Sequence, residues 1–450
     1  MGDHMNLLSR LSNPAPPKKR AARRPQEEKT AMTSTFYQHN RQRLLEKLDE
    51  GSMVFLYSGT APLKSNDQYM HPFPVNRNFY YLTGIDTQNM WLVLAKTACG
   101  AVTEYLFLEQ PNEELIKWNG KMLTREQAAQ KSGLSSESIL YMQDMDRVVA
   151  SQLAASRQLS SIKTVYFSLD RLSMNAPTTP SERYAASIRE KFPALAVRNI
   201  LPLLAELRSI KHLEEIDCIR QAGAVTIEAL RHMLSTAKPG EYEYQWQSDF
   251  EHYVTRAGMQ LAFPTIAASG KNGVMLHYCN NNAPARAGDL ILFDVGAEYR
   301  CYSSDVSRTF PVGGKFTDRQ KELFGIVLQA MEVAKEKMRP GVAIREANQA
   351  VIDFYKKALR SAKLIREDSE VSKYYYHGVS HSLGLDTHDP TGCTVYEPGM
   401  VVTCEPGLYV SEEGIGIRLE NDILITEGAP EDLTGNHLLN VDELEDLMER

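Results

Sequence analysis

The sequence predicts an α/β protein built from two successive domains. In the first half, short β-rich runs alternate with helical, polar stretches, which is typical of a mixed α/β domain. In the second half, two amphipathic helices followed by a pair of strands occur twice. A chain of 450 residues is also long for a single hydrophobic core. We therefore predict a basic arm over residues 1–32, an N-terminal domain over 33–205 and a C-terminal domain over 206–450.

The composition is that of an ordinary globular protein. Hydrophobic residues make up 43% of the chain, charged residues make up 24%, and the formal net charge is −7 at pH 7. This balance gives no reason to expect a nucleic-acid partner, and no apolar run reaches the roughly 18 residues of a membrane span. The six cysteines are dispersed without a C-x-x-C pair, which argues against disulfides and a structural zinc site. We expect a reducing compartment, the cytoplasm.

The predicted arm differs from the rest of the chain. The segment "NPAPPKKRAARRPQEEKTA" is proline-rich, basic and nearly free of large apolar side chains, so we predict that it is disordered. The overlapping stretch "MNLLSRLSNPAPPKKRAARR" has no acids and several arginines, which leaves a mitochondrial transit peptide or a nuclear signal as alternatives.

Periodicity predicts the elements of the first half. Residues 36–50 have the apolar spacing of an amphipathic helix, and "TREQAAQKSGL" is a further helical stretch. Runs rich in β-branched and aromatic residues predict strands at 52–59, 79–85, 90–96, 103–109 and 163–169.

An internal repeat organises the second half. The segments "IKHLEEIDCIRQAGAVTIEALRHMLSTAKPG" and "TDRQKELFGIVLQAMEVAKEKMRPG" both have helical apolar spacing and both stop at Pro-Gly. Each is followed by another helix and then by a strand pair, first "DLILFDVGAEYRCYSSDVSRTFPV" and later "GMVVTCEPGLYV" with "GIGIRLENDILIT". A duplicated α/β unit of this kind is expected to hold a site between its halves.

The first strand pair carries two carboxylates, Asp294 and Asp305. Their midpoint falls on Tyr299 and Arg300, where we place the turn. Residues equidistant from a hairpin turn face each other with Cβ atoms about 5 Å apart. Like charges at that separation are destabilising unless a cation lies between them.

The second strand pair repeats the arrangement with Glu405 and Glu420. Their midpoint falls on Glu412 and Glu413, again at the expected turn. Alternation along the strand places Arg418 on the same face as Glu420. Each acid alone could be an exposed or capping residue, and one pair could be a salt bridge to arginine. Two pairs at matching places in a repeat, interrupting core-like runs, are better explained by divalent metal.

A histidine-rich segment, "HGVSHSLGLDTHD", accompanies these acids and contains His377, His381 and His388. Taken alone it does not distinguish a metal site from a polar loop. Four carboxylates and one imidazole form a familiar ligand set for two divalent ions, and their charges balance. Because the set has no thiolate, Mn²⁺, Co²⁺, Fe²⁺ and Zn²⁺ are all acceptable. Two such ions can share a hydroxide that is nucleophilic at neutral pH.

These motifs together resemble the aminopeptidase P and prolidase family of dinuclear metallopeptidases. The resemblance rests on "FDVGAEYRCYSSDVSRTFPVGGKFT", "HGVSHSLGLDTHD", "CEPGLYV" and "GIGIRLENDILIT", and it extends through "LRSIKHLEEI" and "NFYYLTGI". It implies a C-terminal "pita-bread" α/β domain with an internal pseudo-twofold repeat, which agrees with the repeat described above. Thr387 departs from the Val or Ile usual at its position, and we expect this to alter packing rather than chemistry.

The resemblance also implies the metal ligands. Asp294 would bind one ion, Asp305 and Glu420 would bridge both, and His381 and Glu405 would complete the set. The implied cofactor is a pair of divalent ions, Mn²⁺ before Co²⁺, Zn²⁺ or Fe²⁺.

Further catalytic positions follow from the same motifs, with Glu405 also counted among them. His277 would stabilise the tetrahedral intermediate, His388 would contact the scissile peptide, and His377 would line the substrate pocket. Arg418 would support the site electrostatically. From its local sequence alone, His277 is an unremarkable loop histidine.

The implied reaction releases the N-terminal residue from peptides with proline in second position, using a hydroxide that bridges the two ions. The main alternative is a prolidase limited to Xaa-Pro dipeptides. Methionine aminopeptidase has the same ligands but would not need the long N-terminal domain. A non-catalytic binding protein of this fold remains a further alternative, although all five ligand positions are filled. Trp118 resembles a tryptophan that reaches a neighbouring subunit in bacterial members, which suggests a dimer or tetramer; alternatively it is buried in its own domain.

Overall fold

The computed structural model describes residues 32–154, 161–171 and 173–448. The predicted disordered arm lies, apart from Met32, outside these described residues. These described residues belong to one compact unit. Within the described ranges, no helix is long and apolar enough to cross a membrane.

The N-terminal part is a mixed α/β domain, as predicted. Its elements, in chain order, are α1 (Ser34–Lys47), β1 (Ser52–Tyr57), β2 (Leu63–Ser65), β3 (Gln68–Tyr69), α2 (Arg77–Thr83), β4 (Trp91–Lys96), β5 (Val102–Leu108), α3 (Glu113–Asn119), α4 (Arg125–Ser132), β6 (Ile139–Tyr141), α5 (Met145–Leu153), β7 (Thr164–Phe167), α6 (Pro180–Lys191), β8 (Ala196–Asn199) and α7 (Leu201–Ser209). A six-stranded mixed sheet with strand order β6-β5-β4-β1-β7-β8 forms its centre. Strand β1 shows why the sheet is buried on both faces. Met53 and Phe55 enter one apolar cluster, while Val54 and Leu56 enter another.

The prediction of a strand at 79–85 is wrong, because most of this segment belongs to helix α2. Asn76 caps the helix by accepting hydrogen bonds from the backbone N–H groups of Asn78 and Phe79, at 3.0 and 3.1 Å. Gly84 ends it in the left-handed conformation at φ 65°, with its N–H bonded to the carbonyl of Tyr80. The aromatic residues are buried, so tertiary packing overrides their preference for strands.

The C-terminal part has the predicted repeat of element order. Its elements are α8 (Leu213–Thr236), α9 (Glu243–Arg256), β9 (Gln260–Leu261), β10 (Ile266–Ser269), β11 (Leu290–Val295), β12 (Ala297–Tyr299), β13 (Tyr302–Ser303), β14 (Val306–Pro311), α10 (Asp318–Lys337), α11 (Ile344–Ser361), β15 (Val401–Cys404), β16 (Gly407–Val410), β17 (Ile415–Arg418), β18 (Asn421–Leu424), β19 (Glu431–Asp432) and α12 (Val441–Met448). Two helices and a strand pair therefore follow one another twice. One large apolar cluster contains residues of helices α8, α9, α10 and α11 together with residues of both strand pairs.

The first strand pair differs in register from the prediction. Asp294 pairs with Ser307, not with Asp305. The turn lies at Arg300 and Cys301, whose φ angles are 50° and 66°, one residue later than expected. Two successive residues with positive φ form the kind of tight turn that matches strand twist, and this turn fixes the register.

The second strand pair has the predicted register. Cys404 pairs with Asn421, and Gly407 pairs with Arg418. This spacing places Glu405 opposite Glu420, where neither belongs to a strand. The regular pairing stops at these two acids and resumes beyond them, so both can turn into the space between the hairpins.

Candidate metal centre and active site

The residues predicted for the site line a single cavity of about 290 Å³. It brings together segments more than 140 positions apart in the chain. The predicted residues on its wall are His277, Asp294, Asp305, His377, His381, His388, Glu405, Arg418 and Glu420.

The centre of the cavity contains a group suited to a metal ion. Asp305, His381 and Glu420 each offer a ligand atom, and these atoms lie within 4.8 Å of one another. His381 Nε2 lies 3.5 Å from Asp305 Oδ2 and 3.4 Å from Glu405 Oε1. The Nδ1 atom of His381 lies 3.1 Å from the carbonyl oxygen of Ser382. Since a carbonyl only accepts, Nδ1 carries the proton and Nε2 is free to act as a ligand.

Asp294 lies beside this group and is oriented by Arg418. Its Oδ2 atom accepts a 2.6 Å hydrogen bond from the guanidinium. Its Oδ1 atom is buried and has no hydrogen-bond partner among the residues that the structure describes. A buried carboxylate oxygen without a partner is costly, and a metal ion would satisfy it.

Arg418 also connects the carboxylates to the aromatic wall. Its Nε donates to Ser307 Oγ at 2.8 Å, and that hydroxyl donates to Glu420 Oε2 at 2.7 Å. A second guanidinium nitrogen lies 3.1 Å from the hydroxyl of Tyr409. Ser307 was not singled out from the sequence. Its place in the register opposite Asp294 is what brings it here.

The three histidines of the segment 377–388 have different surroundings. His377 Nε2 lies 2.8 Å from the Tyr409 hydroxyl, and its Nδ1 lies 2.7 Å from the carbonyl of Gly378. His388 packs edge-on against His381, with ring centroids 4.3 Å apart. Burial lowers the pKa of both His377 and His381 to about 4, so both rings are neutral at pH 7.

The electrostatics favour a cation at the centre. Burial raises the pKa of Asp305 and of Glu420 well above the usual range, and repulsion between neighbouring carboxylates adds to the effect. Burial also raises the pKa of Glu405. Arg418 supplies one positive charge against four carboxylates on the cavity wall. An excess of negative charge therefore remains, and divalent cations would offset it, so this donor set fits hard or borderline metal ions.

A buried ion network outside the cavity holds the loop that carries His388. The Asp389 side chain is 1% exposed and accepts hydrogen bonds from Arg208 at 2.5 Å and from Lys211 at 3.2 Å. Arg208 also binds Asp386 at 2.6 Å and Asn78 at 2.6 Å. Both cations come from "LRSIK", residues 207–211, whose role the sequence alone does not indicate.

The fold and site define a metallopeptidase, and sequence comparison identifies which one. Residues 217–427 match the metallopeptidase family M24, and residues 37–160 match the aminopeptidase P N-terminal domain. The Xaa-Pro aminopeptidase of Escherichia coli is 32% identical over 434 residues, covering 92% of this chain and 97% of that protein. The Haemophilus influenzae Xaa-Pro aminopeptidase is 31% identical and covers 92% and 96%. The chain belongs to metallopeptidase family M24, in its aminopeptidase P group.

A solved structure supports the same relationship. Zinc-substituted Escherichia coli aminopeptidase P in complex with product superposes with a TM-score of 0.84 at 31% identity, covering 93% of this chain and 98% of that one. The relatives also include a mitochondrial protein, intermediate cleaving peptidase 55 of Arabidopsis thaliana, at 27% identity over 92% of this chain and 82% of its own length.

Proposed function

We propose that this protein is a metal-dependent aminopeptidase that releases the N-terminal residue from peptides with proline in second position. The observation that carries the proposal is the single cavity lined by all the predicted ligands and histidines, with Asp305, His381 and Glu420 within 4.8 Å of one another. The relatives named Xaa-Pro aminopeptidase, which align over almost their whole length, support the choice of substrate.

Two divalent ions, Mn²⁺ before Co²⁺, Zn²⁺ or Fe²⁺, would be held by Asp294, Asp305, His381, Glu405 and Glu420. When bound, they would polarise the scissile carbonyl and lower the pKa of the attacking water. The partnerless Asp294 Oδ1 and the neutral His381 Nε2 support this assignment.

The protein's own residues would orient the peptide and move protons. Glu405 lies 3.4 Å from His381 with a raised pKa, which suits a group that takes a proton from water and returns it to the leaving nitrogen. His388 and His277 would donate to the substrate carbonyl as charge develops on its oxygen. His377, bonded to Tyr409, would form the pocket wall.

Arg418 would keep Asp294 and Glu420 in place through the 2.6 Å bond and the Ser307 relay. Proline needs such a dedicated cavity because a Xaa-Pro bond has no N–H for recognition.

The test compares hydrolysis of Ala-Pro-Ala, Ala-Ala-Ala and the dipeptide Ala-Pro by protein equilibrated with Mn²⁺. We expect cleavage of Ala-Pro-Ala and little of Ala-Ala-Ala, with release of free alanine. The Asp305→Asn variant should lose activity and metal by elemental analysis, while Asp353→Asn, on the exposed side of α11, should keep both. Cleavage of Ala-Pro alone would favour the prolidase alternative. No cleavage of any proline peptide by folded, metal-loaded protein would refute the proposal.

Other assignments complete the proposal. The Trp118 side chain is 79% exposed, which excludes burial in its own domain and supports contact with another subunit in a dimer or tetramer. The predicted domain boundary between residues 205 and 206 falls inside helix α7 (Leu201–Ser209), so we place the boundary at the end of this helix. We expect peptides rather than nucleic acids or membranes as partners. Location in the cytoplasm is favoured by the dispersed cysteines, with the mitochondrion as the alternative.

A further inference from the structure

A second and larger cavity adjoins the active site. Its volume is about 770 Å³, within the usual range for small-molecule sites. Ser380, His381 and His388 line both this cavity and the one with the carboxylates, so the two share a wall. A peptide bound at the catalytic residues can therefore continue into the larger cavity.

Most of the remaining wall is apolar or uncharged. Ile344, Val395, Met400 and Val402 provide apolar surface on several sides. Such a surface suits peptide side chains and backbone without selecting a particular residue.

The charged side chains of this second cavity differ in whether they are free to bind a ligand. Asp389 is the acid among its described lining residues, and it is already paired with Arg208 and Lys211. Arg345 is exposed, and its guanidinium makes no hydrogen bond or ion pair with any residue in the described ranges. The cavity therefore offers an available positive charge and no available negative charge.

Arg345 also stands where a helix does not favour a cation. It is the second residue of α11, an 18-residue helix whose cap residue, Ala343, makes no side-chain hydrogen bond. The N-terminal end of a helix carries partial positive charge, so a cation there does not help the helix and an anion there is stabilised. The position of Arg345 is thus better explained by what it can bind than by what it adds to the fold.

The two ends of a peptide substrate carry opposite charges, so the charge of the cavity determines which end of the peptide it can bind. The ammonium at the amino terminus is best bound by an unpaired carboxylate, which the described lining residues of the second cavity do not supply. The carboxylate at the other end is complementary to Arg345, whose planar guanidinium suits it well.

We propose that the second cavity receives the residues after proline and that Arg345 binds the free α-carboxylate of short peptide substrates. The inference rests on the proposed aminopeptidase function and makes it more specific, because it predicts a preference for short peptides with a free carboxyl terminus.

The test is a comparison of kcat/KM for acid and amide forms of the same peptides, Ala-Pro-Ala and Ala-Pro-Ala-Ala. We expect the parent to prefer the acid of at least one length by about three- to tenfold, the effect of a solvent-accessible charge pair. In Arg345→Gln the preference should fall to about one, with the amide cleaved as fast as by the parent. Arg345→Lys should keep part of the preference. An eight-residue peptide, whose carboxylate lies far beyond the cavity, should show none.

Lys357→Gln is the matched control, since it removes the same charge from an exposed position on the same helix, about 18 Å further along. It should leave the acid-to-amide ratio unchanged. Equal cleavage of acid and amide by the parent, or the same ratio in Arg345→Gln, would overturn the subsite while leaving the aminopeptidase function intact. Failure of the parent to cleave either form would instead remove the function on which the subsite rests.

Discussion

Removing Arg208 should destabilise the protein far more than removing an exposed arginine. Its side chain is 2% exposed and contacts Asp389, Asp386 and Asn78 at 2.5 to 2.6 Å. Arg208→Met retains the apolar length of the side chain but leaves Asp389 with Lys211 as its remaining cationic partner, at the longer distance of 3.2 Å. Breaking a buried pair in this way costs about 3–5 kcal/mol.

Arg360→Met provides the comparison. Arg360 and Asp368 also form a 2.5 Å pair, but their side chains are 56% and 55% exposed. An exposed pair of this kind contributes at most about 1 kcal/mol. Equilibrium unfolding in urea, followed by both fluorescence and circular dichroism, measures the difference. Equal losses of unfolding free energy in the two variants would show that burial of the Arg208 network does not contribute to stability.

The same network predicts how the effect depends on pH. Burial alone would raise the pKa of Asp389, but Arg208 and Lys211 outweigh it and the pKa lies below its ordinary value. A lowered pKa stabilises the fold above the unfolded-state value, about 3.9, and that stabilisation disappears as the pH falls through the folded-state value. The difference in unfolding free energy between the parent and Arg208→Met should therefore be largest at pH 7 and should decrease below about pH 4. A gap that stays constant down to the acid limit of folding would contradict the assignment to Asp389.

Three further predictions concern the catalytic cavity. Glu405→Gln should nearly abolish turnover without unfolding the chain, because the amide keeps the shape but neither holds metal nor takes a proton; activity within a few-fold of the parent would remove Glu405 from the mechanism. His381→Ala should lose metal, as measured by elemental analysis. His388→Ala should retain the metal and lower kcat by about 10²–10³-fold, and His377→Ala should mainly raise KM. Equal loss of metal from all three variants would mean that the segment is one structural unit. Equilibration with Mn²⁺ should give close to two ions per chain, and dialysis against a chelator should remove activity that added Mn²⁺ restores; folded, active protein without metal would exclude the proposed mechanism.

Local sequence signals predicted most of the fold, and the errors were local as well. The family resemblance rather than local signals selected several of the candidate site residues, and the structure brings all of the candidates together in one cavity. The segment 79–85 contains aromatic residues typical of strands, yet Asn76 and Gly84 on either side are ordinary helix-capping residues that would have indicated α2. The first hairpin was misplaced by one residue because a midpoint between two acids assumes that they face each other. The positive φ angles of Arg300 and Cys301 locate the actual turn, and neither residue is one that usually marks such a conformation.

The contacts of the supporting residues could not be predicted in this way because their partners are distant in sequence, although Arg418 itself was predicted to support the site. Arg208 and Asp389 are 181 positions apart, and Arg418 and Asp294 are 124 positions apart. Helical or strand periodicity shows which side of an element is buried, but it does not show which charged group on another element will meet it. A buried charge nevertheless requires a partner, so "LRSIK", with two cations in an otherwise apolar stretch before a long helix, indicates that carboxylates must come from elsewhere. The structure supplies these carboxylates from the loop that carries His388, so the network that stabilises the fold also positions a catalytic histidine. A variant that loses the Arg208–Asp389 pair should therefore also lose turnover. Other substitutions that restore its free energy of unfolding in urea should not restore that turnover.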